Sequence, residues 1–380
     1  MHASDLHNAK AAFLLPPELL YLDTAAHGPR LRAVQSAAQA ALDAGATPWT
    51  TCWDEWEAQV ERVRALASQL FDANGDAVAL VPSAAYGLSI AARNLPLTRD
   101  EAVLVLADAF PSNLLPWQQR CREVGARMHG VTRGDDATAA VLAALDGDAA
   151  VRIVSLPQVH WHDGSRLDLD AISAAVHARG AALVLDLSQS LGAMPAQIAR
   201  WRPAFAVSVG YKWLLGPHGL CYFWADSHWR AHGVPIEQHW AAYEARADWS
   251  FRADGANDYR PGARRFDAGE ITDVQRLAMA EAGLTQVLEW GVDAIAHRLG
   301  GWTAALREAL ADDGFDAPAQ PGPHITGLRP RSVEPSVCMQ ALRAAGIVCT
   351  ARHGVLRIAP HLHVDADDID RVARVLRAAG

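Results

Sequence analysis

Short apolar runs that each end at a polar residue or a glycine constrain the fold of this chain more than any other feature. They recur through the first two thirds of the sequence, at 102–107, 149–156, 181–185, 204–209 and 219–224. Runs that are apolar at nearly every position are buried on both faces, as parallel strands covered by helices are. The segments between them have helical spacing and length. The sequence therefore predicts an α/β fold with a mainly parallel sheet.

The pattern changes in the last third of the chain. Between 229 and 262 the periodicity breaks down into sequence rich in Trp, Arg and Gly, and helices and short strands then follow to the end. Mixed elements of this kind are typical of a smaller α+β unit. We predict a large domain over 16–255 and a small C-terminal domain over 256–380, with residues 1–15 packing against the small domain.

Charge and apolar patterning exclude several classes of protein. A formal net charge of −9 argues against a nucleic-acid partner or an anionic membrane surface. The apolar stretch at 11–15 is stopped by two prolines, so it is too short for a signal-peptide core, and no other run is long enough to span a membrane. Five scattered cysteines without CxxC spacing indicate free thiols. We expect a cytoplasmic protein with no nucleic-acid or membrane partner.

Two residues of opposite charge follow consecutive apolar runs. Asp186 ends one run, and Lys212 stands just beyond the next. Ligands gather at the carboxyl ends of parallel strands, and a desolvated lysine is a nucleophile for carbonyl compounds. An acid beside the pyridine nitrogen of pyridoxal phosphate (PLP) keeps that nitrogen protonated. The alternatives are a helix cap for Asp186 and a surface turn for Lys212, but their placement together favours a Schiff base between PLP and Lys212.

An ordered set of motifs carries a family resemblance along nearly the whole chain. The motifs are YLDTAAHGP (21–29), VPSAAYG (81–87), DAFPSNLLPW (108–117), DLSQ (186–189), YK (211–212) and LRIAPH (356–361). With them the sequence resembles the class V aminotransferase family of fold-type I PLP-dependent enzymes, which includes cysteine desulfurases, kynureninases and isopenicillin-N-epimerase-like proteins. The resemblance implies a fold-type I large domain, a smaller C-terminal domain and a homodimer.

The resemblance also implies cofactor-binding residues. They are Ser83, Ala84 and Ala85 at the phosphate, Phe110 on the ring, Gln189 toward the ring oxygen, Tyr211 at the phosphate, and the catalytic pair Asp186 and Lys212. A helix N-terminus at 83–85 would supply backbone N–H groups to the phosphate. Each residue has a plain structural alternative: a strand-to-helix turn for 83–85, a core aromatic for Phe110 and an exposed helix start for Gln189.

Three residues are expected at the substrate. Arg357 would clamp the substrate carboxylate, since a guanidinium fork fits a carboxylate bidentately. Trp161 would wall the pocket, although core packing is an equal alternative, and His27 lies in the opening motif.

One departure concerns the segment that reaches the neighbouring subunit's phosphate, where the family commonly has Gly-Thr. Here Glu270 follows Gly269, so either Thr272 takes over or that contact is missing.

Two features have simpler interpretations. The stretches HWHD (160–163) and HLH (361–363) have spacing that suits a metal, but neither has a second ligand pair nearby, so we expect no metal site. Trp49, Trp53 and Trp56 have helical spacing, which predicts a helix face directed to a core or a subunit interface.

The residues leave the reaction open. The resemblance implies a substrate amine that displaces Lys212, an external aldimine and a Cα carbanion. We expect a lyase or epimerase-like enzyme acting on a small amino acid, with a class V aminotransferase as the alternative. A catalytically silent PLP-fold binding or regulatory protein is a third possibility, against which the intact lysine, aspartate and arginine count. A persulfide-forming desulfurase is not expected, because Cys349 ends an apolar run and only 350–354 remain for a loop.

Overall fold

A computed structural model describes residues 3–244, 250–255, 257–271 and 273–380. In this part of the chain the strands are β1 (Leu20–Tyr21), β2 (Val78–Val81), β3 (Ala102–Leu106), β4 (Arg127–Val131), β5 (Val151–Pro157), β6 (Ala182–Asp186), β7 (Phe205–Val209), β8 (Cys221–Ala225), β9 (Phe315–Asp316), β10 (Thr326–Pro330), β11 (Ile347–Val348), β12 (Thr350–Arg352) and β13 (Val355–Ile358).

The α-helices are α1 (Arg32–Gly45), α2 (Trp53–Leu70), α3 (Ala84–Asn94), α4 (Leu115–Val124), α5 (Ala137–Gly147), α6 (Leu169–Ala178), α7 (Ile198–Trp201), α8 (Ser227–His232), α9 (Val274–Trp290), α10 (Val292–Ala309), α11 (Pro335–Ala344) and α12 (Ala366–Ala379). Short 3-10 helices cover Ala3–Ala12, Pro48–Thr50, Gly75–Ala77, Pro111–Asn113, Trp240–Ala242 and Gly262–Phe266.

A seven-stranded sheet organises the larger part of the molecule. Its strand order is β2-β8-β7-β6-β5-β3-β4, and only β8 runs antiparallel to its neighbours. Every residue of β2, β3, β7 and β8 is buried, which explains their uninterrupted apolar sequence. A second, antiparallel sheet has the order β12-β13-β10-β9. These sheets confirm the predicted α/β class with a mainly parallel sheet and a smaller sheet formed by the C-terminal third.

The N-terminal segment joins the C-terminal elements. Strand β1 pairs in parallel with β11, and Asp23 forms a bridge with Ala359. The Phe13 ring stacks on Trp290 with ring centroids 5.7 Å apart. Helix α9 packs against α1 and α2. The domain boundary at 255/256 stays a prediction, and residue 256 itself, like residues 1–2, lies outside the described residues.

The predicted tryptophan face is wrong in one respect. Trp49 lies in the short 3-10 helix before α2, and α2 begins only at Trp53. Thr51 and Cys52 have extended backbone angles, with ψ of 124° and 121°, and they interrupt the helical run between Trp49 and Trp53. Trp49 is 80% exposed and Trp53 56% exposed, so neither enters the core of this chain.

Three fully buried histidines pack around Trp213 and the N-terminal rings of Phe13 and Tyr21. His324 and His361 contact the Trp213 ring, with centroid distances of 4.4 Å and 6.0 Å. His363 donates to the Tyr21 carbonyl oxygen at 2.6 Å. In the described structure each of the three histidines retains one buried ring nitrogen without a hydrogen-bond partner. Burial lowers the pKa of His361 to about 3 and those of His324 and His363 to about 4.

These histidines predict acid destabilisation. Their pKa values in the folded chain lie below the ordinary value of 6.5, so the unfolded chain binds more protons between pH 6.5 and about 4. The stabilisation is therefore complete above pH 6.5 and is lost as the pH falls toward 4. For three groups the free energy of unfolding should fall by roughly 4 kcal/mol per pH unit. His160, whose pKa is raised, opposes this slope by at most one proton.

Urea unfolding at about pH 7.5 and about pH 5.5 measures this effect. We expect His324→Asn to reduce the slope by about one proton. The exposed His297, changed to glutamine, provides the matched control and should leave the slope unaltered. Equal free energies of unfolding at the two pH values would contradict the prediction.

Candidate active site

A cavity of about 260 Å³ opens where several strands of the large sheet end. Its floor is formed at the carboxyl ends of β5, β6 and β7, as expected for a ligand site in an open α/β sheet. The lining residues include Ser83, Ala84, Phe110, Asn113, Trp161, Asp186, Ser188, Gln189, Tyr211, Lys212, His218 and Gly219. Of the residues predicted to bind the cofactor, all but Ala85 reach this cavity.

Lys212 and Asp186 lie together in the cavity wall. Each is only 8% exposed. Burial lowers the pKa of Lys212 to about 8, although the Asp186 carboxylate partly opposes that shift. A backbone N–H from Ser188 donates to Asp186 Oδ1 at 3.0 Å and fixes the carboxylate. The arrangement provides an amine that is partly neutral near pH 7 beside a fixed negative charge.

The start of α3 forms one end of the cavity. Ser83 is the N-cap of this helix, and its side chain accepts a hydrogen bond from the Tyr86 N–H at 3.0 Å. Because the first N–H groups of a helix have no partner within it, they can bind an anion such as a phosphate. Ala85 lies one residue further along α3, outside the lining.

Two aromatic rings form part of the cavity wall. Phe110 and Trp161 meet edge to face, with centroids 5.5 Å apart and planes at 75°. Lys212 Nζ lies 5.6 Å from the Phe110 ring centroid. Phe110 is 42% exposed, so the core-aromatic alternative does not describe it. The Trp161 indole N–H donates to the Asp108 carbonyl oxygen at 2.9 Å, which orients the indole toward the cavity.

A charge network supports this aromatic wall from behind. Arg133 donates to the carboxylates of Asp108 and Asp163, each at 2.8 Å. His160 is fully buried between the same two carboxylates, and its pKa is raised by their hydrogen bonds despite its burial. Sequence reasoning missed Asp108 and Arg133, although each follows the end of a strand, which is the position that revealed Asp186.

The same network includes a possible set of metal ligands. Asp108, His160 and His162 each place a ligand atom within 4.8 Å of the others. The Arg133 guanidinium already neutralises Asp108 there, and His162 Nε2 is 2.7 Å from the Arg352 carbonyl oxygen. Since a cation occupies the position beside the carboxylate, we propose no metal in this cluster; the absence of a metal site stays a prediction.

Gln189 and Ser188 contribute polar groups at the base of the cavity. The Gln189 amide donates to the Ala25 carbonyl oxygen at 2.9 Å and accepts from the Trp213 indole at 3.0 Å. One amide N–H of Gln189 has no partner within the described residues. The Ser188 hydroxyl is buried and lacks a hydrogen-bond partner in the described structure. The site therefore fits PLP. Lys212 suits the aldehyde carbon, Asp186 suits the pyridine nitrogen, and the start of α3 suits the phosphate. The unpaired donors of Gln189 and Ser188 add polar contacts at the base of the cavity.

Arg357 does not line the cavity but lies close behind Trp161. Its guanidinium donates to Asp23 Oδ1 and to the Trp161 carbonyl oxygen, each at 2.8 Å. Its buried Nε has no partner in the described part of the chain. The predicted carboxylate clamp is therefore already paired on one side, and it keeps one free buried donor.

His27 reaches the cavity only through a second histidine that sequence reasoning missed. His218 lines the cavity, and its Nε2 is 2.9 Å from His27 Nδ1. The opening motif is held here by Gly28, whose N–H donates to the Tyr211 carbonyl oxygen at 2.8 Å. Any side chain on Gly28 would collide with the Lys212 carbonyl oxygen, so this close approach requires glycine.

The segment that departs from the family pattern is anchored by a buried ion pair. Asp267 pairs with the fully buried Arg64 at 2.7 Å and accepts the Leu80 N–H at 2.8 Å. Glu270 follows in a left-handed conformation with φ of 60° and is exposed. Thr272, the residue proposed to replace the missing threonine contact, lies outside the described residues.

The chain was compared with known proteins. A family model described as aminotransferase class-V matches residues 20–372. A kynureninase of Deinococcus radiodurans is 31% identical over 304 residues, which cover 73% of this chain and 68% of the relative. The uncharacterized aminotransferase YcbU of Bacillus subtilis is 26% identical over 344 residues, with 85% of each protein covered.

Solved structures agree at the level of the fold. A cysteine desulfurase from Thermococcus onnurineus NA1 superposes with a TM-score of 0.84 at 15% identity and covers 98% of this chain and 97% of that one. A mutant of C-DES with glycine covalently linked to the PLP cofactor has a TM-score of 0.83 at 16% identity, covering 96% and 97%.

Together, the fold and the cavity with its buried lysine and aspartate define a fold-type I, PLP-dependent enzyme. The family match over residues 20–372 then makes the assignment specific: the chain belongs to the aminotransferase class-V family. Its cofactor is PLP. No helix among the described residues is long and apolar enough to cross a membrane.

Proposed function

We propose that this enzyme acts on a small amino acid as a lyase or epimerase, with Lys212 as the residue that carries PLP. One observation supports this proposal most directly. Lys212 is buried, its pKa is lowered to about 8, and it stands beside Asp186 at the ends of adjacent strands. A 31% identical relative is named kynureninase, and the relative named an aminotransferase is 26% identical, which favours this branch over transamination. PLP, when bound, supplies an electron sink for the negative charge left on Cα.

Each side chain has a defined part in this proposal. Lys212 would hold PLP and, as a free amine, would take the proton from Cα, since a pKa near 8 leaves part of its amine neutral at pH 7. Asp186 would keep positive charge on the pyridine nitrogen of bound PLP. Arg357 donates through its unpaired Nε to the α-carboxylate while Asp23 holds the guanidinium in place. Phe110 and Trp161 exclude water from the reacting carbon.

A panel of amino acids tests the reaction type. We expect one or a few of them to change the absorption of the bound cofactor and to yield an inverted amino acid or a shortened side chain, detected by mass spectrometry. A keto acid formed together with the amine form of the cofactor would instead show an aminotransferase. No spectral change and no product with any amino acid would support a silent PLP-fold protein.

A cysteine-based desulfurase mechanism conflicts with the position of Cys349. This residue lies between β11 and β12, is 5% exposed, and has its pKa raised to about 12 by burial. Its Sγ contacts Met339 Sδ at 3.5 Å. A buried, protonated thiol held between two strands cannot swing into the cavity as a nucleophile.

We therefore expect Cys349→Ala to leave any sulfur release from cysteine unchanged, because no enzyme persulfide is needed. A persulfide-trapping reagent followed by peptide mapping measures this. The exposed Cys52, changed to alanine, is the matched control for adventitious labelling. A persulfide on Cys349 that disappears together with sulfur release in the variant would overturn the assignment.

We also propose a cytoplasmic homodimer, as the family resemblance implies. The exposed Trp49 and Trp53 side chains support an interface on that face. All five cysteines are free, and four of them are buried, which suits a reducing compartment. Light scattering of the purified protein would give the mass, and a monomeric mass at micromolar concentration would contradict the dimer.

A further inference from the structure

A group of basic side chains at the rim of the cavity has no part in the reaction described above. His218 lines the cavity, and its ring stacks on Tyr211 with centroids 3.7 Å apart and planes at 23°. His27 extends this pair outward through the 2.9 Å contact between the two imidazoles. Both residues are exposed, and His218 itself lines the cavity, so a ligand there can reach His218 directly and His27 just outside it.

Arg30 follows His27 by three residues in the same loop, and no counterion for it is found among the described residues. Its guanidinium makes no ion pair or hydrogen bond within the described part of the chain, and burial lowers its pKa with no acid to offset the change. The pKa values of His27 and His218 are lowered by burial and, further, by neighbouring positive charge that includes Arg30. A half-buried cation without a partner is costly, and an anion at this position would relieve that cost.

Arg276 adds a second guanidinium at the same rim. Its Cζ lies 3.1 Å from the position that a Cβ on Gly219 would take, so the side chain lies directly against a residue of the cavity lining. Gly219 has a φ of +79°, a conformation that favours glycine and leaves this space open. No ion pair of Arg276 is found among the described residues. The rim is thus positive although the whole chain has a formal net charge of −9.

We propose that His27, His218, Arg30 and Arg276 form a subsite for a second anionic group, so that the substrate is an amino acid whose side chain ends in a carboxylate or a comparable oxyanion. This inference rests on the proposed function, because it assigns the α-carboxylate to Arg357. Lys212, His218 and Trp161 all line the cavity, and Arg357 donates to the Trp161 carbonyl oxygen, so both anion contacts lie in or directly behind the wall of the cavity that holds the reactive amine. A substrate with two negative ends would satisfy both contacts while its Cα faces Lys212.

Binding of unreactive acids to the PLP-loaded enzyme tests the subsite without relying on turnover. Calorimetry should show that succinate, which has two carboxylates, binds more tightly than butyrate, which has one. In Arg30→Gln and His218→Gln the succinate affinity should fall by about tenfold or more, the loss expected for one charge-assisted hydrogen bond, while butyrate binding stays the same. The exposed Arg93, changed to glutamine, is the matched control and should preserve the preference.

The outcomes separate this inference from the proposed function. If the enzyme loads PLP on Lys212 but binds succinate no better than butyrate, the subsite is wrong and the proposed function stands. If the variants lose PLP and retain succinate affinity, the rim serves the cofactor phosphate and the proposal is overturned. A change only in subunit association would assign the rim to a carboxylate of a second copy, which also overturns it. If PLP does not attach to Lys212 at all, the proposed function itself fails.

Discussion

Replacing Lys212 by alanine is expected to abolish covalent attachment of PLP and to lower turnover by about 10²–10⁴-fold, since the variant lacks both the amine that holds the cofactor and the base at Cα. The chain contains only two lysines, Lys10 and Lys212, so a labelled lysine can be only one of these two residues. Borohydride reduction of the PLP-loaded protein followed by peptide mapping should place the label on Lys212.

Lys10 provides the matched control for this experiment. Its ammonium is exposed and pairs with Asp365 at 2.7 Å, and neither residue lines the cavity. Lys10→Ala should retain the yellow, covalently labelled protein and full activity. A label on Lys10, or none on either lysine in PLP-saturated protein, would end the proposed role of Lys212.

Asp186→Asn is expected to leave PLP covalently bound but to reduce kcat by about 10²–10³-fold, with a small effect on KM. Asparagine has nearly the same shape and still accepts the Ser188 N–H through its oxygen, so the local fold should persist. The variant loses only the negative charge opposite the pyridine nitrogen. The effect should therefore fall on the step that develops charge at Cα.

Steady-state kinetics together with borohydride labelling distinguish this outcome from simple misfolding. The label should remain at the wild-type level while turnover falls. Asp146, whose side chain is 94% exposed, can be changed to asparagine as the matched control and should show wild-type kinetics. Wild-type turnover in Asp186→Asn would mean that the carboxylate does not act on the cofactor.

The strand pattern was enough to predict the α/β sheet and the positions of Asp186 and Lys212. Strands buried on both faces have an uninterrupted apolar sequence, and the residues that follow them lie at one edge of the sheet. The same pattern could not show that β8 runs antiparallel, because burial on both faces does not depend on strand direction. Nor could it show that Trp49 lies outside α2, since residues in two separate helices can have the same i, i+4 spacing as residues in one.

The partners of the site residues were harder to predict than the residues themselves. Arg357 was expected to face a substrate, and its ion pair with Asp23 depends on a contact between opposite ends of the chain. The link from His27 through His218 to the cavity likewise joins two loops that local pattern cannot align. Such contacts are set by tertiary packing. Short-range periodicity and spacing in the sequence carry no information about them.

The ion pair between Asp23 and Arg357 has a consequence for the order of events during synthesis. The two residues are 334 positions apart, and β1 must likewise wait for β11. At ordinary translation rates the emerging segment 20–23 would stay unpaired for roughly 20–70 s before its partner leaves the ribosome. Because closing so long a loop costs entropy before any contact forms, the completion of the carboxylate-binding arginine should be among the last folding steps. A nascent chain stalled before residue 347 should therefore be cut readily by a protease near residue 20, and release of the full chain should remove that sensitivity.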